Sequence, residues 1–384
     1  MRQSSADKEL YRNFGIYVHV PFCASACGYC RFYKKVPGDG DVAFYLKNLE
    51  AEADKFRREN PDCTVVDTMF WGGGTPSILS PEDIRKMGKI FEGLSPSKEW
   101  TVEVSPSTLT SEKLDAYKSL GVTRISLGVQ SFNENTLKRL GRRHSLSDTL
   151  KAIDLVASKN FEHFSIDLIF GSAGQSVLDF ETDLRRAAAS PVDHISAYCL
   201  EFESGTSSCA GEKTAEWESQ NARQAELFEL AMSRLPELGF GQYEISNYAK
   251  TPQSRCLHNL CTWHMAQWRG FGPAAASQFG GLRFRNPASV KKWADALSGA
   301  SAMEDVVVLD DCELYSSALI FGLRLNDGVD LAELKSRFPG ADENKYAAAI
   351  SNLCQNGLLE KRNSRLLLTK EGRLYADSVA VDLL

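Results

Sequence analysis

Three cysteines near the start of the chain have a spacing that suits metal chemistry. Cys23, Cys27 and Cys30 form the pattern CxxxCxxC after residues 16–20, where apolar and polar residues alternate. The alternation predicts a half-buried strand, and Pro21, which lacks an amide hydrogen, ends it, so the cysteines lie on a loop. Three thiolates on one loop suit an iron-sulfur cluster, whereas structural zinc sites usually pair cysteines as CxxC. Because a cubane cluster has four irons, three protein ligands leave one iron open to another molecule, which indicates chemistry rather than structure.

Three other interpretations of these thiols remain open: free core cysteines, a disulfide pair with a spare thiol, or a zinc site completed by a distant His or Cys. Disulfides fit poorly, because nothing at the N-terminus resembles a signal peptide and ten scattered cysteines suit a reducing cytoplasm. The position of the pattern directly after a strand favours a cluster over zinc.

The composition indicates a soluble globular protein of more than one domain. The chain has 384 residues, of which 43% are hydrophobic and 24% are charged, and this length predicts a large domain plus a smaller one. The net charge of -6 excludes a general nucleic-acid binder, because phosphate contacts need a basic face. No apolar run approaches the ~20 residues of a transmembrane span. We therefore expect a cytoplasmic protein.

Beyond the cysteine loop, strand-like and helix-like segments alternate. Residues 41–59 carry apolar residues at helical spacing, and Ser80 and Thr110 each precede carboxylates as a helix cap does. Strands are predicted at 16–20, 66–71, 100–104, 123–129, 164–170 and 194–200. These six βα-type units predict an α/β fold with parallel strands, either an open sheet or a partial (β/α)6 barrel.

Polar residues occur within or directly after four of these strands. Glu103 lies in the third predicted strand, Gln130 follows the fourth, Asp167 lies in the fifth and Glu201 ends the sixth. Each, taken alone, is compatible with a solvent-facing position. However, parallel barrels carry their sites at the carboxyl ends of the strands. An unpaired carboxylate in the otherwise buried-type strand around Asp167 would be costly, so we expect that residue to bind a partner.

Residues 72–76, Gly-Gly-Gly-Thr-Pro, follow the second predicted strand. A turn alone would explain some of these residues. Three successive glycines exceed what a turn needs, and missing side chains let a backbone approach a ligand closely. We therefore predict that Gly73, Gly74 and Thr75 contact a ligand.

A second cluster of reactive residues lies at 256–268, and its role stays open on the residues alone. The segment combines potential haem ligands with flat aromatic side chains, as a porphyrin pocket requires. An aromatic-rich connector packed on the barrel explains it equally well. The residues are Cys256, His258, Cys261, Trp263, His264, Met265 and Trp268.

The patterns divide the chain into four parts. Residues 1–13 are polar and loose, residues 14–239 form the barrel, and residues 240–309 form a connector. Residues 310–384 have the order helix, helix, helix, hairpin, helix, with the hairpin turn at 363–364, and are winged-helix-like. Acidic residues before the hairpin favour docking against the barrel or a protein over binding to DNA.

Residues 17–32, YVHVPFCASACGYCRF, resemble the start of the radical S-adenosylmethionine (radical SAM) superfamily. The similar branch contains oxygen-independent coproporphyrinogen III dehydrogenase and the HemW-type haem chaperones, and the resemblance runs nearly end to end. It implies that the open iron of a 4Fe-4S cluster binds the amino and carboxylate groups of S-adenosylmethionine (SAM). An electron from the reduced cluster would then cleave the sulfonium to an adenosyl radical. The cofactor would supply the difficult step and the protein would position it.

The resemblance also assigns cofactor contacts. The contexts VEVSP, GVQSF, RLGRRH, IDLIFG and AYCLE are similar to family segments that contact SAM, and the glycine loop is similar to one that contacts its methionine part. A family tyrosine associated with bound SAM matches the residue six positions before the first cysteine. The positions assigned are Tyr17, Gly73, Gly74, Thr75, Glu103, Gln130, Arg142, Asp167 and Glu201. Taken alone, Arg142 is explained as a cation after a helix that Gly141 ends.

HNLCTW, at 258–263, is similar to the HNxxYW signature of HemW-type chaperones, which is implicated there in haem handling. This resemblance implies that His258 is a haem ligand. Two departures occur: Thr262 stands where the signature has tyrosine, and Ala276 stands where the family commonly has histidine. Phe32 separates the two activities of the branch, because the dehydrogenases carry a further cysteine there.

We therefore expect a HemW-like haem chaperone that binds a 4Fe-4S cluster and SAM and transfers haem to acceptor apo-haem proteins. The implied partners are haem or another porphyrin, a reductant such as flavodoxin or ferredoxin, and an acceptor protein, with membrane-associated acceptors included. No nucleic acid and no transmembrane segment are expected. The alternatives are decarboxylation of coproporphyrinogen III, an oxidoreductase activity, or methyl transfer by a related radical SAM methyltransferase.

Overall fold

Six parallel strands, each followed by one or more helices, form the centre of the fold. The computed structural model describes residues 7–200, 215–299 and 302–384. The strands are β1 (Phe14–Val20), β2 (Thr68–Gly73), β3 (Glu99–Val104), β4 (Arg124–Gln130), β5 (His163–Phe170) and β6 (His194–Cys199). The helices are α1 (Asp41–Glu59), α2 (Pro81–Ile90), α3 (Ser111–Ser119), α4 (Glu134–Arg139), α5 (Leu146–Ser158), α6 (Val177–Ala189) and α7 (Ala215–Glu237).

The six strands lie side by side in chain order and pair in parallel throughout. The predicted parallel α/β architecture is therefore confirmed. Within the described residues the sheet has two free edges and does not close into a complete barrel, as the prediction of a partial barrel requires.

The helices begin where the sequence places their caps. α1 spans the predicted residues 41–59. The Ser80 hydroxyl accepts a hydrogen bond from the Asp83 amide at 3.1 Å, and the Thr110 hydroxyl accepts one from the Lys113 amide at 3.4 Å. Each hydroxyl satisfies a backbone donor that the first helical turn leaves unpaired.

Strands that the sequence analysis did not predict extend the sheet at both edges. They belong to the connector, whose elements are β7 (Gly241–Gln242), β8 (Asn247–Ala249), α8 (Leu257–Trp263), β9 (Gln267–Phe271), β10 (Ala276–Phe279), β11 (Leu282–Arg285), α9 (Val290–Leu297) and β12 (Glu304–Val308). At one edge β9 pairs in parallel with β1, and β10, β11 and β12 follow it in antiparallel order. At the other edge β8 and then β7 lie antiparallel beyond β6. These strands have two to five residues, too few to show a clear alternation.

The C-terminal residues form a separate three-stranded sheet with helices around it. The order of elements follows the prediction except for an additional short strand after the first helix and two helices, not one, after the hairpin. Asn363 adopts a left-handed turn conformation (φ 58°) in the predicted hairpin. The elements are α10 (Asp311–Leu323), β13 (Val329–Asp330), α11 (Leu331–Arg337), α12 (Ala347–Gln355), β14 (Leu359–Arg362), β15 (Arg365–Leu368), α13 (Lys370–Leu374) and α14 (Ala376–Asp382). Four short 3-10 helices lie at Asp7–Arg12, Pro76–Ile78, Pro252–Ser254 and Glu343–Tyr346.

The C-terminal domain docks against the connector helix α8. The Arg337 guanidinium donates to the His264 carbonyl at 3.2 Å, and the Arg324 guanidinium stacks 4.6 Å from the Trp263 ring. Met265, which follows α8, is part of the buried apolar core of the C-terminal domain. No helix in the described part of the chain has the length and apolar character needed to cross a membrane.

Candidate functional site

The inner face of the six-stranded sheet is polar and borders a cavity of about 530 Å³. Side chains alternate between the two faces of a strand. In β4, Ile125, Leu127 and Val129 face the helices and are buried in the main core, whereas Ser126 and Gln130 line the cavity. The interior of a parallel barrel is usually packed with branched apolar side chains. A cavity lined by polar groups in this position is therefore a candidate ligand site.

The cysteine loop follows β1 and is closed at its base. The Cys23 amide donates to the Lys35 carbonyl at 3.0 Å, and the Lys35 amide donates to the Pro21 carbonyl at 2.8 Å. Within the loop, the Cys30 amide donates to the Cys27 carbonyl at 3.3 Å. These bonds fix both ends of a short segment, so its three thiols are held in one region.

The three thiols line one small hollow beside the main cavity, together with Gly74 and Arg142. The Arg142 guanidinium lies 3.9 Å from the Cys27 sulfur. Burial raises the pKa of Cys23, and the neighbouring Cys30 and Cys27 thiols raise it further. Three grouped thiols next to a cation suit a metal-sulfur group, because its positive irons would offset the cost of ionising them.

The arrangement differs from a site for a single ion. Within the described ranges, no three His, Cys, Asp or Glu side chains converge closely enough to hold one metal ion. The corners of a cluster are separate irons, so a cluster needs thiols that surround it and not thiols that converge on one point.

The glycine loop after β2 packs against the cysteine loop, and two of its glycines are required by this contact. Gly73 has a φ of 96°, and a Cβ there would overlap the imidazole of His19. A Cβ at Gly74 would lie 2.5 Å from the Phe22 carbonyl oxygen. Gly73, Gly74 and Thr75 also line the main cavity, so the same residues serve the packing of the loop and the surface offered to a ligand.

Two carboxylates face the cavity, and neither forms an ion pair within the part of the chain that the structure describes. Burial raises the pKa of Glu103 to about 8, and nearby Asp167 raises it as well. Burial also raises the pKa of Asp167 to about 6. The Gly73 amide donates to Glu103 at 3.2 Å, and the Ser126 hydroxyl lies 3.0 Å from both Asp167 oxygens. A bound cation or hydroxyl group would stabilise these carboxylates in their charged form.

Arg142 and Gln130 connect β4 to the cysteine loop and the cavity. The Arg142 guanidinium, close to Cys27, also donates to the Gly128 carbonyl at 3.2 Å. Gln130 has a φ of 68°, unusual for a residue with a side chain, at a register shift between β4 and β5. Strain of this kind is found where a functional conformation is imposed by the surrounding structure.

Tyr17 and His19 form a hydrogen-bonded pair on β1, and the His19 ring packs against Gly73 of the glycine loop. The Tyr17 hydroxyl lies 3.0 Å from Nδ1 of His19, and Nε2 of His19 lies 2.8 Å from the Tyr33 carbonyl oxygen. Because that carbonyl only accepts, His19 carries its hydrogen on Nε2, and Nδ1 accepts from Tyr17. The Tyr17 ring packs 6.3 Å from Phe70, which lines the cavity. His19 was missed by the sequence analysis, although its alternation with Tyr17 placed both on one face of the strand.

Helix α8, which contains HNLCTW, lies at the amino ends of the strands and closes the cavity from below. The Glu99 carboxylate accepts from the Leu257 and His258 amides at 3.1 and 3.0 Å, and it forms a buried ion pair with Arg124 at 3.0 Å. Asn259 lines the cavity floor. The sequence analysis missed Glu99, Arg124 and Asn259, since no local pattern links a strand start to a helix more than 150 residues later.

His258 is buried in this floor. Its Nδ1 lies 2.9 Å from the Thr68 hydroxyl, and its ring packs 5.3 Å from Phe70. Thr68 begins β2 and Gly73 ends it, so at ~3.3 Å per residue the imidazole and the glycine loop are separated by about 16 Å along the strand. The structure therefore places Gly73, Gly74, Thr75, Glu103, Gln130, Arg142 and Asp167 around the main cavity and the adjoining cysteine hollow. It places Tyr17 behind them, against His19 and Phe70, and His258 at the opposite end. Glu201 lies outside the described residues.

Comparisons with known proteins match nearly the whole chain. The radical SAM superfamily matches residues 17–187, and the HemN C-terminal domain family matches residues 309–375. A curated relative named heme chaperone HemW, from Mycobacterium tuberculosis, is 34% identical over 379 residues, which cover 97% of this chain and 95% of that protein. A relative of the same name from Bacillus subtilis is 32% identical over 371 residues, covering 94% and 97%. Coproporphyrinogen III oxidase (HemN) from Escherichia coli, a solved structure, has the same fold, with a TM-score of 0.80 at 19% identity over 100% of this chain and 93% of that chain.

Proposed function

Because this chain belongs to the radical SAM superfamily, in the family of the HemW haem chaperones, we propose that it holds a 4Fe-4S cluster and SAM at the mouth of its cavity and delivers haem to acceptor apo-haem proteins. One observation carries the proposal: the hollow lined by the three thiols adjoins the cavity lined by Glu103 and Asp167, and the glycine loop lines both. A thiolate cluster site and a site for a cationic ligand are thus adjacent. A reducing compartment such as the cytoplasm belongs to the proposal, because the thiols must stay reduced.

The role proposed for each residue follows from its place in the site. Cys23, Cys27 and Cys30 would hold the cluster, and the nearby guanidinium of Arg142 would stabilise their thiolate forms. Such a cluster, when bound and reduced, supplies the electron that cleaves the sulfonium of SAM. Glu103 would accept hydrogen bonds from the positively charged or hydroxyl-bearing part of that ligand.

The remaining residues would orient the ligand and exclude water. Gly73 and Gly74 let the backbone lie close to it, since a side chain at either position would clash with β1 or the cysteine loop. Gln130 and Asp167 line the opposite wall. Glu201, which is outside the described residues, stays a prediction as a SAM contact.

The chaperone function is favoured over coproporphyrinogen III decarboxylation by the name and coverage of the curated relatives. The structural likeness to HemN at 19% identity concerns the fold. Phe32 supports the same choice, because the resembled dehydrogenases carry a cysteine at this position. An acceptor protein and a reductant such as flavodoxin or ferredoxin are part of the proposal.

An anaerobic reconstitution tests the proposal directly. We expect the purified chain to bind iron and sulfide, to bind haemin, and to convert an added apo-haem protein into its haem-bound form. With SAM, a reductant and coproporphyrinogen III, we expect no protoporphyrinogen. Turnover of that substrate, or methyl transfer from labelled SAM, would assign the chain to one of the alternative activities instead.

Haem ligation by His258 stays a prediction, because its buried imidazole would first have to leave Thr68. Replacing His258 with Ala and titrating with haemin tests this role. Loss of the haem absorption shift would support it, and unchanged binding would place the haem elsewhere.

A further inference from the structure

Aromatic side chains with large exposed fractions line the cavity, and one of them, Phe32, lies at its mouth on the cysteine loop. Phe32, two residues after the third cysteine of the loop, is 61% exposed, and Tyr198, near the end of β6, is 41% exposed. Both line the cavity, together with Tyr29. Grouped aromatic side chains that face solvent beside a cavity mark an interaction surface.

The charges around this mouth are distributed in layers. The guanidinium-bearing residues Arg31 and Arg142 line the cavity at the level of the cysteine loop, and the carboxylates of Glu103 and Asp167 lie on the strands of its inner wall. Guanidinium groups bind carboxylates well. A flat molecule with two carboxylates therefore finds two guanidinium groups beside the cysteine loop.

The volume of the cavity also favours a porphyrin at the opening. A cavity of about 530 Å³ is in the range that holds one ligand of ordinary size, and the proposed nucleotide ligand takes that space. With that ligand in place, a porphyrin is left the opening, where Phe32 is exposed.

We propose that haem binds across this mouth, stacked on Phe32 with its propionates toward Arg31 and Arg142, and thereby closes the cavity over SAM. The inference rests on the proposed function and assigns it a haem surface that differs from the buried floor around His258. It also fixes an order of binding: SAM enters first, and haem then retains it.

A porphyrin titration tests the surface. Stacking on one aromatic ring contributes about 1 kcal/mol beyond the area that it buries, so Phe32→Ala should weaken haemin binding by about five- to tenfold. Phe44 on α1 is 45% exposed and does not line the cavity, so Phe44→Ala is the matched control and should bind haemin normally. Because the contacts involve the ring and the propionates, iron-free protoporphyrin IX should bind within a few-fold of haemin. The cluster absorption of each variant shows that its loop is intact.

Failure of the proposed function and failure of the haem surface give different results. If the natural chain binds no haemin, the chaperone proposal fails with the inference. If it binds haemin and Phe32→Ala binds it equally well, the inference alone is overturned. Negligible binding of protoporphyrin IX would also overturn it, because binding would then depend on an iron ligand.

The order of binding gives a measurement that does not depend on any variant. Cluster-loaded protein is saturated with radiolabelled SAM, haemin is added, and the release of label into excess unlabelled SAM is followed anaerobically. We expect haemin to slow release roughly tenfold or more, because the mouth is covered. An unchanged release rate would show that haem binds away from the mouth.

Discussion

Replacing Glu103 with Gln should stabilise the ligand-free chain at high pH and weaken SAM binding at the same time. Burial raises the pKa of this carboxyl from its ordinary 4.5 to about 8. Between these values the unfolded chain has lost the proton and the folded chain keeps it, so the stability contributed by Glu103 falls as pH rises through this window and is constant above it. A shift of this size corresponds to an upper limit of about 5 kcal/mol. Water that enters the cavity screens the charge, and we expect about 2 kcal/mol.

The measurement is the urea midpoint of the ligand-free protein at about pH 5 and about pH 9. Glu103→Gln should differ little from the natural chain at the lower pH, since the Gln carbonyl still accepts from the Gly73 amide. At the higher pH its midpoint should lie well above that of the natural chain. Glu92→Gln, at an exposed position on the surface, is the control and should show no such pH-dependent gain.

SAM binding should change in the opposite direction. Loss of one charge-assisted hydrogen bond costs about 1.5–3 kcal/mol, so the affinity of Glu103→Gln for SAM should fall about 10- to 100-fold. A variant that is no more stable at high pH would refute the view that this carboxyl is buried without compensation. A variant that binds SAM normally would remove Glu103 from the proposed site.

Three further changes test other parts of the structure. Cys27→Ala should abolish the broad visible absorption of the reconstituted cluster, whereas Cys63→Ala, outside the loop, should keep it; zinc in place of iron in the purified protein would contradict the cluster assignment. Gly73→Ala should lower the urea midpoint by the equivalent of about 1–3 kcal/mol, because it combines a left-handed φ with a clash, and an unchanged midpoint would show that the loop relaxes freely. Glu99→Gln should cost about 3–5 kcal/mol, because Arg124 is left buried without its partner, and a loss below about 1 kcal/mol would mean that water reaches this floor.

Several features of the fold could be predicted because they depend on residues close together in the chain. The cap at Ser80 is a contact between residues three positions apart. Gln130 was predicted directly after a parallel strand and Asp167 within one, and in the structure both line the cavity. The three cysteines lie within eight consecutive positions, so one loop holds them together.

The connector could not be predicted in the same way. β9 lies beside β1 although about 250 residues separate them in sequence, and neither has a pattern that names the other. Glu99 looks like an ordinary residue before a strand, and only the folded chain shows that it receives two amides of α8. His258 is the clearest case, because its residue type suggests a ligand and its environment is a buried contact with Thr68.

The sequence by itself determined the chemistry that is available and the elements that carry it: three thiols on one loop, glycines after a strand, and carboxylates within predicted strands. Residue type and local spacing are enough for this, since both act over a few residues. Only the tertiary structure decided which of these groups share a cavity. Strand register sets Gly128 opposite Asp167, and the packing of α8 at the amino ends of the strands makes a floor. Both depend on contacts between distant parts of the chain, which burial and shape select and local pattern does not.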